Sequence, residues 1–214
     1  MHSHHDASDL IRRQALTLLA VAQNGLTFAH DPFDRRRYTQ VRECAEQLMS
    51  LIADGELEQL RSAFTVDIGY MTPKVSVRAA IFNSDGELLL VQERADRLWT
   101  LPGGWCDVLE TPSQAVEKEV REEAGLIVDV DKLVAVLDHD RHRPAQQPAP
   151  LFHVYKLFFL CSERGRVPPD LTETSAIDRF ALDALPPLSP SVDEAQLRMM
   201  HTHWRHPELP TVFD

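Results

Sequence analysis

The sequence predicts an α+β protein, with a small helical domain over residues 1–68 followed by a mixed sheet sandwiched by helices over residues 69–214. Three observations carry that division. Apolar residues recur at helical spacing up to about Phe64. Strict alternation takes over near Val75. A glycine turn at Gly103 then leads into a capped helix rich in glutamate.

The first helix is expected from about Asp9, with Leu10, Ile11, Ala15, Leu18, Leu19 and Ala22 on one face and a stop at Asn24-Gly25. Asp31-Pro32 marks a turn. Asp34 is a candidate cap for a second helix carrying Tyr38, Val41, Ala45, Leu48, Met49 and Ile52, ended by Asp54-Gly55. A short third helix follows with Leu57, Leu60 and Phe64. Such small helices have little core of their own, so they are expected to pack on the rest of the chain or on a second copy. Val75, Val77, Ala79 and Ile81 then form a strand, Asn83-Ser84-Asp85-Gly86 a hairpin-type turn, and Leu88 to Val91 a buried strand. Further strands are expected at Val134 to Leu137 and Val154 to Cys161, with a last helix from Val192 to Trp204. Pro144, Pro148 and Pro150 mark a long loop.

Composition removes several classes of function. An apolar share of 43% supports a globular core, and no apolar run approaches the ~20 residues of a membrane span. His2-Ser3-His4-His5-Asp6 has neither the basic start nor the apolar stretch of a signal peptide; those histidines read as a disordered tail or a weak metal site. Cys44, Cys106 and Cys161 are odd in number and widely spaced, so neither a disulfide framework nor structural zinc is expected. They read as buried or unreactive thiols in a reducing cytoplasm. A net charge of -11 repels phosphate backbones and argues against duplex nucleic acid as a partner. A small phosphate-bearing substrate needs only a local cation, which a bound divalent metal supplies.

The chemistry concentrates between Gly103 and Leu126. Pro102-Gly103-Gly104 allows a tight turn and close approach to a ligand. Thr111 is placed to cap a helix, with Pro112 at its first position, Gln114 closing a capping box and Gly125 ending it. On that helix Val116, Val120 and Ala124 face the core. Glu119, Glu122 and Glu123 share another face at i, i+3 and i+4. Three carboxylates so placed either form a solvated acidic face paired to Lys118 and Arg121, or gather hard oxygen ligands for Mg²⁺ or Mn²⁺.

The whole segment resembles the Nudix box. Gly104, Glu110, Glu119, Val120, Glu122, Glu123, Gly125 and Leu126 match its fixed positions in register, with Lys118 where the family pattern has arginine. The resemblance extends to Gln23 through Phe28, Asp31 through Arg35, Thr72 through Val75, Arg78 through Phe82, and His153 through Phe159. That combination is similar to a bacterial Nudix subgroup with an N-terminal helical domain, which includes CDP-choline and ADP-ribose pyrophosphatases and often carries lysine at the arginine place. The resemblance implies the Nudix fold with its loop–helix–loop metal site. It implies Mg²⁺ or Mn²⁺ held by Glu119, Glu122 and Glu123, with the Gly104 carbonyl joining them. Glu110 and Lys118 would orient these ligands, although lysine lacks the bidentate fork of arginine.

The expected reaction is therefore metal-assisted hydrolysis of the diphosphate of a nucleoside diphosphate derivative, with Glu122 accepting the proton of the attacking water. CDP-choline, cleaved to CMP and phosphocholine, is the first substrate expectation and ADP-ribose the second. A non-catalytic nucleotide-sensing regulator and an isomerase of allylic diphosphates are readings of other classes. Arg78, a charge on a strand, is expected at an edge or in an ion pair, and reaches either substrate phosphate or a structural partner. Trp105 either stacks on a base or covers the core. Asp138 through Arg143 reads as a solvated loop or a contact with substrate or a second subunit. Glu173 is a further acid of open role. A homodimer built on the N-terminal helices is expected.

Overall fold

The computed structural model describes residues 2–51, 69–143 and 152–214. The expected helix carrying Leu57, Leu60 and Phe64 and the loop of Pro144, Pro148 and Pro150 lie outside them. The chain divides into two compact units, Met1–Pro73 and Lys74–Asp214.

The first unit is a pair of helices, α1 (His2–Phe28) and α2 (Pro32–Ser50). α1 begins at His2 rather than near Asp9, so the histidine-rich start is helical, not a disordered tail; extending an existing helix adds a hydrogen bond for each residue fixed. Gly25 does not stop α1. Its role is contact: a Cβ there would lie 2.4 Å from the Tyr38 ring, so the glycine lets α2 approach. The cap of α2 is Asp31, not Asp34. Its carboxylate accepts from Phe33 N at 2.7 Å and Asp34 N at 3.0 Å, because Pro32 takes the first helical position and moves the cap one residue earlier. Asp34 pairs instead with Arg37 at 2.7 Å. Ala15, Leu19, Ala22, Ala45 and Met49 are buried. The Gln23 and Asn24 side chains bind Gly69 O and Met71 N, at 3.1 and 2.9 Å, which fastens the end of this unit to α1.

The second unit holds two sheets between helices. One has β1 (Lys74–Ala80), β5 (Val154–Arg166), β4 (Leu126–Asp138) and β7 (Val212–Phe213) in that order; the other has β3 (Trp99–Thr100), β2 (Leu88–Glu93) and β6 (Thr174–Phe180). β1 runs parallel to β5, and β4 antiparallel to it, so the larger sheet is mixed. Helix α3 (Pro112–Ala124) packs Ala115, Val116 and Val120 on Val77, Ala79 and Phe159. On the opposite side α5 (Glu194–Arg205) packs Leu197 and Met200 with Phe158, Leu88 and Leu90. This is the predicted α+β class, with the mixed sheet between helices and the helical region ahead of it.

Several elements depart from expectation. β4 and β5 are 13 residues each, far longer than Val134–Leu137 and Val154–Cys161. Register shifts near Val128, Lys132 and Ala135 change the phase of the in–out pattern along β4 and conceal its length. β6, with the polar sequence Thr-Ser-Ala-Ile-Asp-Arg-Phe, was not anticipated, because it pairs with β2 while burying few of its side chains. His139–His142 is a short helix, α4, capped by Asp138, rather than a loop. Cys161 is buried and its thiol is pushed up to about 12 by burial, Cys106 is half-buried and Cys44 is exposed. All three are free thiols. Among the described residues no helix is long and apolar enough to cross a membrane.

The Gly25–Tyr38 contact makes a prediction with a change of sign. In the intact chain, Gly25→Ala forces the ring aside and lowers stability by about 1–3 kcal/mol of overpacking, less the ~1 kcal/mol that alanine gains in a helix. In a Tyr38→Ala background the clash is gone, and the same change should stabilise by up to ~1 kcal/mol. Urea unfolding of the four chains measures both effects; destabilisation in both backgrounds would refute the contact as the cause.

Candidate active site

The site begins with a backbone constraint. The segment from Pro102 to Cys106 lies along β1, with Ala79 N donating to Pro102 O, Val77 N to Gly104 O and Cys106 N to Val75 O at 2.9–3.0 Å. This closeness requires Gly103. Its φ is +147°, and a Cβ there would sit 2.1 Å from the Val77 carbonyl oxygen. Gly104 is a cradle of a second kind: a Cβ on it would strike the Glu119 carboxylate at 2.7 Å. The two glycines thus bring backbone against the acidic face of α3.

α3 is positioned by its own ends. Thr111 Oγ1 accepts from Gln114 N, and the Gln114 side chain accepts from Thr111 N, the reciprocal box that the sequence predicts. Gly125, at φ 64°, closes the helix. Just beyond it the chain following β5 is tied back: Asp170 N donates to Glu122 O at 2.7 Å and Thr174 Oγ1 to Glu123 O at 3.3 Å. Arg94 holds the same loop by donating to Leu171 O at 2.8 Å. These ties bring Glu173 and Asp170 to a cleft of about 490 Å³ lined also by Glu93, Gly104, Trp105, Glu119, Glu122 and Glu123. Glu173 therefore lies with the acids of α3. Glu93, Asp107 and Asp170 are acids at this cleft that sequence reasoning did not select; only their negative charge marked them, and distance along the chain hid the rest.

Each acid has its own environment. Glu123 accepts from Gly103 N at 2.9 Å. Burial raises its pKa to about 7; that bond and the Arg78 charge oppose the rise, and Glu119 and Glu173 add to it. Glu119 is raised too, chiefly by burial, with Lys118 opposing and Glu122 adding. Glu122 is exposed, 3.9 Å from Arg121. Lys118 joins Asp107 at 2.7 Å and Glu110 at 3.1 Å, and stands 3.9 Å from Glu119. Its pKa is raised by the Asp107 hydrogen bond, which keeps it charged. Without a guanidinium fork it still spans two carboxylates, as a point charge with three donors.

Arg78 is neither edge-exposed nor ion-paired. It is 9% exposed, its guanidinium donates to the carbonyls of Gly103 and Val77, and no described carboxylate lies within 4.0 Å. The reason is that Pro102–Cys106 covers the β1 edge that would otherwise meet water. Trp105 does not cover the core; it is 51% exposed on the cleft wall. Cys106 is half-buried, with its thiol raised by burial and by Glu110, so it is not a poised nucleophile.

The fit to a divalent cation rests on donor chemistry. Glu119, Glu122 and Glu123 line one cleft, and after burial the neighbouring charge raises two of them further, Glu122 acting on Glu119 and Glu119 on Glu123. The Gly104 carbonyl uses one lone pair on Val77 N and keeps the other. Among the described residues no three such side chains are drawn together into a finished cage. An all-oxygen donor set with surplus negative charge suits a hard cation.

Comparison with known proteins agrees on the family. The NUDIX domain pattern matches residues 72–202, and the pattern described as a UDP-X-like, N-terminal oligomerisation domain matches residues 9–64. The Bacillus subtilis protein YjhB, provisionally named an ADP-ribose pyrophosphatase, is 37% identical over 202 residues, covering 94% of this chain and 95% of that one. A crystal structure of an ADP-ribose pyrophosphatase from Streptococcus suis is 43% identical, with a TM-score of 0.59 over 67% of this chain and 100% of that one. A crystal structure of a UDP-X diphosphatase is 27% identical, with a TM-score of 0.60 over 97% of this chain and 99% of that one.

The raised acids predict an inverted pH dependence for the metal-free fold. A carboxyl whose folded pKa exceeds its unfolded value contributes stability fully below the unfolded pKa and loses it as pH rises through the folded one. For Glu123 the window runs from 4.5 to about 7. With EDTA present, the thermal midpoint of Glu123→Gln should match the parent near pH 4.5 and exceed it increasingly up to pH 7.5. A gap of the opposite sign would refute the burial of that charge.

Proposed function

The chain belongs to the Nudix family, and on that premise we propose that it hydrolyses the diphosphate linkage of a nucleoside diphosphate joined to a sugar, with ADP-ribose as the leading candidate. The observation that carries this reading is the glutamate face of α3 turned onto the glycine loop, in a cleft that Glu173 also lines. Nudix enzymes are pyrophosphohydrolases that generally use a divalent metal ion. Here we assign Glu119, Glu122, Glu123 and the Gly104 carbonyl as its holders, with Mg²⁺ or Mn²⁺ as the ion. When bound, such an ion neutralises diphosphate charge and makes water more acidic.

The chain's own residues do the rest. Glu122, the most exposed of the three, is assigned to accept the proton from the attacking water. Lys118 holds Asp107 and Glu110 and thereby fixes the loop that faces Glu119. Gly103 N orients Glu123. Trp105 is exposed enough to stack on a base.

CDP-choline, the first expectation from sequence, is the second reading. That expectation rests on the subgroup resemblance, and a quaternary ammonium would favour an acidic or aromatic pocket. The acids of the cleft are instead gathered where the diphosphate would be cut, and among the described residues lining the cleft Trp105 is the only aromatic one. A cage for a quaternary ammonium uses several aromatic faces. The relatives named for ADP-ribose support the sugar reading.

We further assign residues 1–68 as a dimerisation element and 69–214 as the catalytic domain, in a cytoplasmic homodimer. The match of residues 9–64 to an oligomerisation domain supports this, as do the exposed Leu10, Val21, Phe28 and Phe33 on the helical unit. Light scattering should give twice the chain mass for the full protein and a single mass for a chain beginning at Thr72. A full-length monomer at micromolar concentration would refute the dimer.

The reaction is tested by kcat/KM for ADP-ribose and CDP-choline with Mg²⁺ and with Mn²⁺. ADP-ribose should be preferred, and Glu123→Gln should lose ~10³-fold or more of turnover, a loss of several kcal/mol of transition-state stabilisation. No hydrolysis of either compound by the parent chain would favour the regulator reading. A tenth or more of turnover kept by the variant would remove Glu123 from the metal site.

A further inference from the structure

We propose that Arg78 and Lys156 form a second, cationic subsite beside the carboxylate cleft, which takes a phosphate oxyanion of the substrate. The assignment deepens the diphosphate-hydrolase reading and rests on it for the identity of the anion.

The placement follows from register. β1 and β5 are parallel, with Ser76 opposite Lys156 and Arg78 opposite Phe158. Side chains two apart share a face, so Ser76, Arg78, Lys156 and Phe158 all project to the same side of the sheet. Further along that face Ala80, Phe158 and Leu160 belong to the apolar core under α5. The polar end of an otherwise apolar face thus holds two cations, one on each of two adjacent strands.

Both cations are deeply buried and poorly matched. Lys156 is 5% exposed and Arg78 9%, and among the described residues neither has a carboxylate within 4.0 Å. Lys156 donates to the Ser191 carbonyl, a neutral partner for a full charge. Arg78 Nε and the neighbouring Ser76 Oγ, both buried, have no hydrogen-bond partner among the described residues. Burial, and then the Arg78 charge, press the Lys156 pKa down to about 7. His139, at the start of α4, is pressed down to about 4 by burial and by Lys156, so it stands near them as a neutral ring. Burying unpaired charge costs several kcal/mol, and a fold carries it where a bound counter-charge offsets it.

The occupant follows from the neighbours. Arg78 is the link, since its guanidinium donates to the Gly103 carbonyl while its charge acts on both Glu123 and Lys156. Arg78 thus stands between Lys156 and the Gly103 loop that lines the carboxylate cleft. Phosphate oxygens there would meet charged donors with partners still to find.

The two roles open to Lys156 predict opposite signs. If it serves only to brace Ser191, Lys156→Met should lower the thermal midpoint. If it is an anion site held ready at a cost to stability, the similar-sized apolar side chain should leave the midpoint unchanged or raise it. Anion binding is read by calorimetry with inorganic pyrophosphate on the full chain in EDTA, so that neither metal nor turnover is involved. The parent should bind, and Lys156→Met should bind at least ~10-fold more weakly with no loss of midpoint. Lys156→Gln, which keeps a donor for the Ser191 carbonyl, should show the same weakening. Parent-like binding by both variants, no binding by the parent, or weakening only alongside a lowered midpoint in both would overturn the subsite. Binding that behaves as expected in a chain that hydrolyses no nucleoside diphosphate derivative would instead sink the hydrolase reading and leave the anion site standing.

Discussion

The arrangement depends on how closely the Pro102–Cys106 segment lies against β1. Three backbone hydrogen bonds hold it there, and Gly103 is the residue that permits it, since any Cβ would meet the Val77 carbonyl. The Gly103 amide is thereby aimed at Glu123, its carbonyl at Arg78, and the flat face of Gly104 at Glu119. One irregular strand thus sets the position of two acids and a cation. α3 supplies the acids, but the helix alone would leave them as a solvated face; it is the loop that turns them into a lined cleft.

Charge is concentrated rather than neutralised around that loop. Lys118 is well satisfied by Asp107 and Glu110. Glu119 and Glu123 are not: burial raises both, Glu122 and Glu173 add to the rise of Glu119, and Glu119 and Glu173 add to that of Glu123. A native fold retains such conflict where a ligand of opposite sign resolves it, and the same strain that lowers the stability of the bare fold raises its affinity for a cation. The opposed pair Arg78 and Lys156 shows the same logic with the sign reversed.

The local parts of this design were legible in sequence because their causes are local. Thr111, Pro112, Gln114 and Gly125 define α3 through hydrogen bonds reaching at most four residues, and the spacing of Glu119, Glu122 and Glu123 follows from helical period. The core face of Val116 and Val120 follows in the same way. What was not legible depends on distant chain. Glu173 and Asp170 reach the cleft because each of the ties to Arg94, Glu122 and Glu123 has a backbone atom at one end or both, and such atoms leave no mark in residue type. Glu93 and Asp107 were two acids among 33. β4 hid its length behind bulges, and Arg78 was misplaced because a strand edge cannot be told from a covered edge without knowing what runs beside it. At Gly25 the residue type was right for a helix stop and also for a close contact; only Tyr38, on another helix, decides between them.

The family motif cannot choose the substrate, because every group it positions faces the diphosphate, which all candidate substrates share. Discrimination must come from the sign and shape of the surface on either side. A quaternary ammonium is stabilised by aromatic faces and repelled by buried cations; a phosphate or polyhydroxylated group is served by charged donors and hydroxyls. Beneath the Gly103 loop lie the buried Arg78, Lys156 and Ser76, with Thr100, Ser191 and Ser189 linked in one hydrogen-bond chain that ends on Glu93, which does line the cleft. Charged donors of this kind suit phosphate oxygens, which every candidate substrate carries. The discrimination between candidate substrates therefore lies in the surface beyond the diphosphate, and not in the residues of the box.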